Sequence, residues 1–236
     1  MSLTPLLLAL VAALGNLIGA GVVVRRASSG LRFIETSLAF GAGFMLAVVL
    51  VGVLPELDFS RGVWTGITIL AGYLAVHLAH HVLVPHFHFG EETHPIDSGV
   101  GSSALVGLSI HSFFDGVAIA SGFQNNASLG LLLFLAVFLH KLPEGVTIAS
   151  VVLAGGQPVR QALLAALGLG VATVLGVVLT NVAAPLATNG LALAAGATLY
   201  VAASNLVPEF QNKRRIDLTF SFFGGALAVI LLELLK

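Results

Sequence analysis

The chain has 236 residues, of which 57% are apolar and only 9% are charged, and its formal net charge is -1. An ordinary soluble domain carries about 25% charged residues, so this composition excludes a soluble globular protein and indicates no nucleic-acid partner. The chain has no cysteine, which excludes disulfides and thiolate metal ligands and leaves histidine, carboxylates, methionine and neutral oxygens as candidate ligands.

Eight apolar segments follow one another along the chain, separated by charged residues, prolines or amides. A helix that crosses a bilayer needs roughly 20 apolar residues, and each segment is close to that length. We therefore predict an all-α integral membrane protein in which a single domain, 1–236, has a short histidine-containing connection at 85–100. The predicted transmembrane helices are 3–24, 33–54, 63–84, 101–122, 128–153, 158–180, 186–207 and 217–235.

Basic residues are unevenly distributed between the two sides of this bundle. Only Arg61 and Lys236 lie on one side, whereas seven lie on the other: Arg25, Arg26, Arg32, Arg160, Lys213, Arg214 and Arg215. Because the side richer in Lys and Arg faces the cytoplasm, both termini are expected outside and the 85–100 connection inside.

The fourth and fifth spans carry the same local pattern. His111 precedes Asp115 by four residues, His140 precedes Glu144 by four, and a glycine follows each carboxylate. Consecutive spans cross the membrane in opposite directions, so this repeat predicts an inverted symmetry between them.

A second internal match extends the repeat to the outer spans. The second and seventh spans share a stretch that begins with glycine and ends with Pro-Glu, at 55–56 and at 208–209. Chance similarity between apolar helices is the alternative explanation. The simplest arrangement relates spans one to three with spans six to eight, around spans four and five.

The repeated pattern has the spacing of metal ligands. A histidine and a carboxylate four residues apart share one helix face, and an ionised side chain near the middle of a span costs at least ~2.5 kcal/mol. Two antiparallel copies bring His111, Asp115, His140 and Glu144 to one depth. Such a set suits Zn²⁺ and also accommodates Fe²⁺, Mn²⁺, Co²⁺ or Cd²⁺. Interhelical hydrogen bonding or a proton relay is the alternative use.

Lys141 is a further charged residue in the middle of the fifth span. It stands three residues before Glu144, within pairing range on a helix, so we expect it to face the site and to balance carboxylate charge.

The sequences His-Ser-Phe-Phe-Asp-Gly at 111–116 and His-Lys-Leu-Pro-Glu-Gly at 140–145 resemble the motifs of the ZIP (Zrt-, Irt-like protein) family of divalent metal transporters. The resemblance covers the whole chain. It implies a non-enzymatic transport domain that carries divalent metal, typically zinc, into the cytoplasm. It also implies a multi-pass protein of the plasma (cytoplasmic) membrane that contacts the lipid bilayer. A homodimer is one oligomeric state compatible with it.

The resemblance assigns the metal-site role to His111, Asp115, His140 and Glu144, and adds Met45 of the second span as a soft ligand. Family members with two adjacent metals commonly have Asn and an acid where this chain has Ser112 and Lys141. The sixth span also lacks a carboxylate, so we predict one transport metal.

Histidines cluster near the cytoplasmic end of the third span and in the connection that follows it. We interpret them as a weak relay for departing metal, although imidazoles also suit a membrane interface for structural reasons. The six residues are His77, His80, His81, His86, His88 and His94.

Two other functions remain open for a metal site at this depth. An intramembrane metallohydrolase would use the metal to activate water, but would need an open coordination position and a separate base. A metal sensor built on the same architecture would bind the metal without moving it.

Overall fold

The computed structural model describes residues 3–25, 31–82, 98–211, 213 and 215–235. Every regular element in this part of the chain is helical, which confirms the predicted all-α class. Most of the 85–100 connection, with His86, His88 and His94, lies outside the described residues.

Nine α-helices follow one another along the described chain. They are α1 Leu3–Arg25, α2 Leu31–Ala47, α3 Val63–Val82, α4 Ser98–Asn125, α5 Ala127–Ala154, α6 Val159–Val182, α7 Ala184–Leu199, α8 Val207–Gln211 and α9 Ile216–Leu234. Two 3-10 turns, Leu54–Glu56 and Phe59–Arg61, connect the second span to α3.

Helix length and composition confirm a multi-pass membrane protein. Within the described residues, seven helical segments are long and apolar enough to cross a bilayer, and an eighth, Val63–Ala79, is apolar but shorter. The seven are Leu3–Arg25, Glu35–Glu56, Leu105–Asn125, Ala127–Leu153, Val159–Val182, Ala184–Leu206 and Ile216–Leu234.

The second and seventh spans differ from the uninterrupted α-helices that the sequence predicts. Each changes to a π-helix near its end, over Val48–Val53 and Tyr200–Leu206. A proline stands two residues after each π segment, at Pro55 and Pro208, and has no amide hydrogen to donate to the preceding turn. In a π turn each amide donates to the carbonyl five residues earlier, instead of four as in an α-helix. The backbone hydrogen bonds are therefore shifted by one residue before each proline.

Close helix pairs make up the bundle, and glycines permit the closest approaches. Extensive contacts join α1 with α5, α2 with α9, α3 with α7, and α4 with α6. A Cβ added at Gly43 of α2 would collide with the carbonyl oxygen of Phe222 of α9, and one at Gly196 of α7 with that of Ile69 of α3. The helices α4 and α5 also pack on each other, so the two repeated motifs lie at the centre.

Candidate metal site

A tight turn between α4 and α5 sets the depth of the two motifs. Asn126 is the only residue between the two helices, and its side chain caps α5 by accepting a hydrogen bond of 2.8 Å from the Leu129 amide. His111 lies 15 residues before this turn and His140 lies 14 after it. Because both helices rise equally per residue, the two imidazoles reach the same level, near the middle of each helix.

The structure brings the four predicted ligands together in the protein interior. His111, Asp115, His140 and Glu144 are all buried, and each offers one ligand atom such that these atoms lie within 4.8 Å of one another. The Nε2 atoms of the two histidines are 3.2 Å apart, and Asp115 Oδ2 lies 3.2 Å from His140 Nε2 and 3.4 Å from His111 Nε2. Ligands at Zn²⁺ bond lengths stand about 3.4 Å apart around a tetrahedral ion. The three separations among His111, His140 and Asp115 are close to that spacing.

A fixed ammonium group lies beside the four ligands. Lys141 is fully buried, and its Nζ lies 2.7 Å from Asp115 Oδ2, 2.5 Å from Glu144 Oε2 and 2.8 Å from Ser112 Oγ. The Ser112 hydroxyl donates in turn to Glu144 Oε1 at 2.5 Å. One positive charge therefore stands against two carboxylates, which leaves the cluster with one net negative charge when both imidazoles are neutral. A divalent cation would reverse that sign rather than add to an existing positive charge.

The two histidines differ in how their second ring nitrogen is held. His140 Nδ1 lies 2.9 Å from the carbonyl oxygen of Ala136, a contact that requires the proton on Nδ1 and leaves the Nε2 lone pair facing the site. His111 Nδ1 is buried without a hydrogen-bond partner. A backbone carbonyl therefore holds the Nδ1 proton of His140, whereas no such acceptor meets Nδ1 of His111.

Asn16 of α1 reaches the same cluster, a contact that sequence reasoning missed. Its side chain is fully buried, and one end of its amide lies 2.6 Å from the Lys141 carbonyl oxygen and 3.3 Å from Glu144 Oε2. Both of these atoms are acceptors, so we assign the amide nitrogen, which donates, to that end. The signal in the sequence is a lone amide in the middle of an apolar span, which is costly in a bilayer unless it has a partner.

Met45 and the predicted histidine relay are not joined to the cluster by the described contacts. Met45 is fully buried in the apolar core. His77 is half-buried on α3, and its ring meets that of Tyr200 edge-on with centroids 5.6 Å apart. His80 and His81 lie in the last turn of α3, and the structure does not describe their side chains.

A second polar site opens at the end of the bundle that carries the α4–α5 turn. A cavity of about 250 Å³ there is lined by carboxylates, a guanidinium, amides and hydroxyls, among them Glu56, Asp58, Arg61, Thr68, Ser121 and Asn125. Arg61 donates to Asn189 Oδ1 at 2.8 Å across one side of it. The Ser121 hydroxyl is buried without a hydrogen-bond partner, and this residue lies six residues after Asp115, about 9 Å along the α4 axis.

Comparison with known proteins gives one consistent result. The family model described as ZIP zinc transporter matches residues 91–233. Zinc transporter ZIP6 of Homo sapiens is 36% identical over 137 residues, which is 54% of this chain and 18% of that protein. Zinc transporter ZIP10 of Danio rerio is 33% identical over 127 residues, 49% of this chain and 14% of the relative.

Zinc transporter ZIP4 of Mus musculus is 33% identical over 113 residues, 46% of this chain and 17% of that protein. The chain thus spans less than a fifth of the length of these curated relatives. The family match covers more than half of the chain, including both His-carboxylate motifs and the Pro-Glu of the seventh span. This chain belongs to the ZIP zinc transporter family.

Proposed function

We propose that this protein transports divalent transition-metal ions, zinc foremost, across the membrane into the cytoplasm. The observation that carries the proposal is the buried cluster of two histidines and two carboxylates near the middle of two membrane helices, with ligand atoms within 4.8 Å of one another. Fe²⁺, Mn²⁺, Co²⁺ and Cd²⁺ accept the same ligand types and are the other candidate substrates. The relatives' names as zinc transporters favour zinc among them.

One metal binds at a time in this proposal, with His111, Asp115, His140 and Glu144 as its ligands. The Lys141 ammonium bridges Asp115 and Glu144 and partly neutralises their charge, in the place where a second metal would otherwise bind. The separations among the two histidines and Asp115 fit a tetrahedral ion, and Glu144 offers its carboxylate within 4.8 Å of these ligand atoms. Met45 of the second span is the additional soft ligand that the family resemblance suggests.

Inverted repeats organise the bundle, with spans one to three related to spans six to eight. Matched contacts support this arrangement. Gly196 lies 153 residues after Gly43, and their contact partners Phe222 and Ile69 are also 153 residues apart. The π segments obey the same relation, because the amides of Leu54 and Val207 donate to the carbonyls of Val49 and Ala202.

The relation between the fourth and fifth spans has similar support. A Cβ added at Gly116 of α4 would collide with the carbonyl oxygen of Thr173 of α6, and one at Gly145 of α5 with that of Asn16 of α1. The two glycines are 29 residues apart, as are the two motif histidines. The symmetry therefore exchanges α1 with α6 and α4 with α5.

The direction of transport rests on charge. The basic residues of alternate connections favour a plasma-membrane orientation with both termini outside and the 85–100 connection inside. In that orientation the polar cavity opens outside and is the entrance, where carboxylates attract hydrated cations. Metal then passes to the central site and leaves toward the relay histidines His77, His80, His81, His86, His88 and His94.

Movement of the central helices against spans two and seven would give alternating access to the site. The π segments lie in those two spans, and such turns frequently occur at functional sites. The single domain, 1–236, contains every part of this pathway, and a homodimer in the bilayer is the proposed assembly.

Transport is favoured over the two rival functions by the chemistry of the cluster. A metallohydrolase keeps one coordination position open for water and provides a separate base. Here both central carboxylates belong to the four-ligand set, and Lys141 occupies the adjacent space. A sensor would bind metal in the same way, so a transport assay separates it.

The proposal is tested by reconstituting the purified chain in liposomes and following radioactive zinc, with protein-free liposomes as the control. Saturable, protein-dependent uptake is expected. Absence of uptake from a preparation that still binds one zinc per chain would refute transport and favour a sensor.

A further inference from the structure

We propose that Asn16 of α1 is a positioning residue of the metal site, which holds the carboxylate of Glu144 in the orientation that binds metal. The inference rests on the proposed function, since it concerns the same four-ligand site. It adds a third helix to a site that the sequence motifs place on α4 and α5 alone.

The position of Asn16 is the first argument. It lies in the interior of an apolar membrane helix and its side chain is fully buried. An amide in such surroundings is stable only where its donors and acceptor are satisfied. Its nitrogen has two acceptors, and both belong to the turn of α5 that carries Glu144.

Backbone packing fixes α1 in register with that turn. A Cβ added at Gly145 would collide with the carbonyl oxygen of Asn16, and one at Gly19 would collide with that of Leu142. A Cβ at Gly15 would stand 3.0 Å from the Cβ of Lys141. The three close contacts leave the two helices little freedom to slide, so the Asn16 amide is held at the level of the carboxylate.

The hydrogen bonds of Glu144 define what Asn16 does. Ser112 donates to Oε1, whereas Lys141 and Asn16 both donate to Oε2. Asn16 is uncharged, and it also donates to the backbone carbonyl of Lys141. It therefore ties the Glu144 carboxylate to the backbone of α5 without adding charge to the site. Outer donors of this kind set the orientation of a ligating carboxylate, and their loss typically weakens metal binding by about 10- to 100-fold.

The symmetry-related position provides a matched control. Thr173 of α6 lies against Gly116 as Asn16 lies against Gly145, and it too is fully buried. Its hydroxyl donates to the carbonyl of Leu169 within its own helix at 3.2 Å and reaches no metal ligand in the described contacts. Thr173→Val therefore changes a buried side chain at the equivalent helix contact without removing a hydrogen bond to the carboxylates.

The test measures zinc affinity of the purified full-length protein by competition with a fluorescent chelator. The variants are Asn16→Ala, the near-isosteric Asn16→Asp, and the control Thr173→Val. We expect a Kd about 10- to 100-fold weaker in both Asn16 variants and unchanged in the control. With Co²⁺ in place of zinc, the d–d absorption bands, which report ligand geometry, should change in the Asn16 variants only.

A wild-type Kd and Co²⁺ spectrum in Asn16→Ala would overturn the proposal. If that variant does not fold, Asn16→Asp decides, and a Kd equal to or tighter than wild type would overturn it. Failure of both variants to fold would identify Asn16 as a packing residue and overturn the positioning role. Absence of zinc binding by the wild-type protein would instead refute the proposed function, and the inference with it.

Discussion

Replacing Lys141 with methionine should strongly destabilise the metal-free protein. Methionine keeps most of the side-chain volume, so the change removes the ammonium and leaves Asp115 and Glu144 as buried carboxylates without a cation. Lys141 is fully buried, and its Nζ lies 2.7 Å from Asp115 and 2.5 Å from Glu144. Breaking a buried pair by removing one partner costs ~3–5 kcal/mol, and we expect that loss in the free energy of unfolding.

The chain provides a matched control for burial. Lys213 Nζ lies 2.7 Å from Glu35, the same separation as in the Lys141–Asp115 pair, but the Lys213 side chain is 39% exposed. The exposed pair should contribute only ~0–1 kcal/mol, so Lys213→Met should cost little. Denaturant titration of both variants in detergent, without metal, gives the comparison.

Zinc makes the test more specific. At 100 times its Kd, a bound ion stabilises the native state by ~2.7 kcal/mol. In Lys141→Met the ion also supplies the missing positive charge, so zinc should restore more stability than it adds to the wild-type protein. Equal stability of Lys141→Met and Lys213→Met without metal would show that Lys141 does not neutralise the two buried carboxylates.

Three further predictions concern the polar cavity and the helix contacts. The double variant Glu56→Gln/Asp58→Asn should raise the KM of zinc uptake by up to about 10-fold through lost attraction of cations, and an unchanged KM would contradict the role of the cavity as entrance. Hydrogen bonds from the Ser60 hydroxyl and amide hold the pKa of Asp58 below its ordinary value. Ser60→Ala should therefore raise that pKa and move the acid-side fall of uptake to higher pH, whereas an unmoved pH profile would count against it. Gly145→Val should lower stability by ~1–3 kcal/mol because its Cβ meets a backbone carbonyl, in contrast to Gly66→Val, where nothing lies within 4 Å.

The sequence predicted the helical class and the meeting of the central side chains because both follow from simple periodicities. Apolar segments of bilayer length define the spans, and a spacing of four residues places the histidine and the carboxylate on one helix face. Because Asn126 is the single residue that connects them, α4 and α5 must run antiparallel. The side chain of Lys141, three residues before Glu144, follows from the same spacing.

Other features depend on contacts between distant segments and could not be read from local patterns. The π segments near Pro55 and Pro208 reflect how the backbone adjusts to a missing donor, for which several local solutions exist. The contact of Asn16 with Glu144 joins residues far apart in the chain, and depends on how α1 packs on α5. The sequence shows that Ser112 departs from the family motif. Its hydrogen bonds with Lys141 and Glu144 are visible only once α4 and α5 are packed together.

In the proposed mechanism, metal crosses the membrane through the four-ligand site. The most direct test is the initial rate of zinc uptake into proteoliposomes by the His111→Ala/His140→Ala variant, at matched protein content. Thr173→Val serves as control, because this buried side chain of α6 donates within its own helix to the carbonyl of Leu169 and reaches none of the four ligands in the described contacts. We expect background uptake from the double variant and saturable uptake from the control. Saturable uptake by the double variant at the wild-type rate would contradict it.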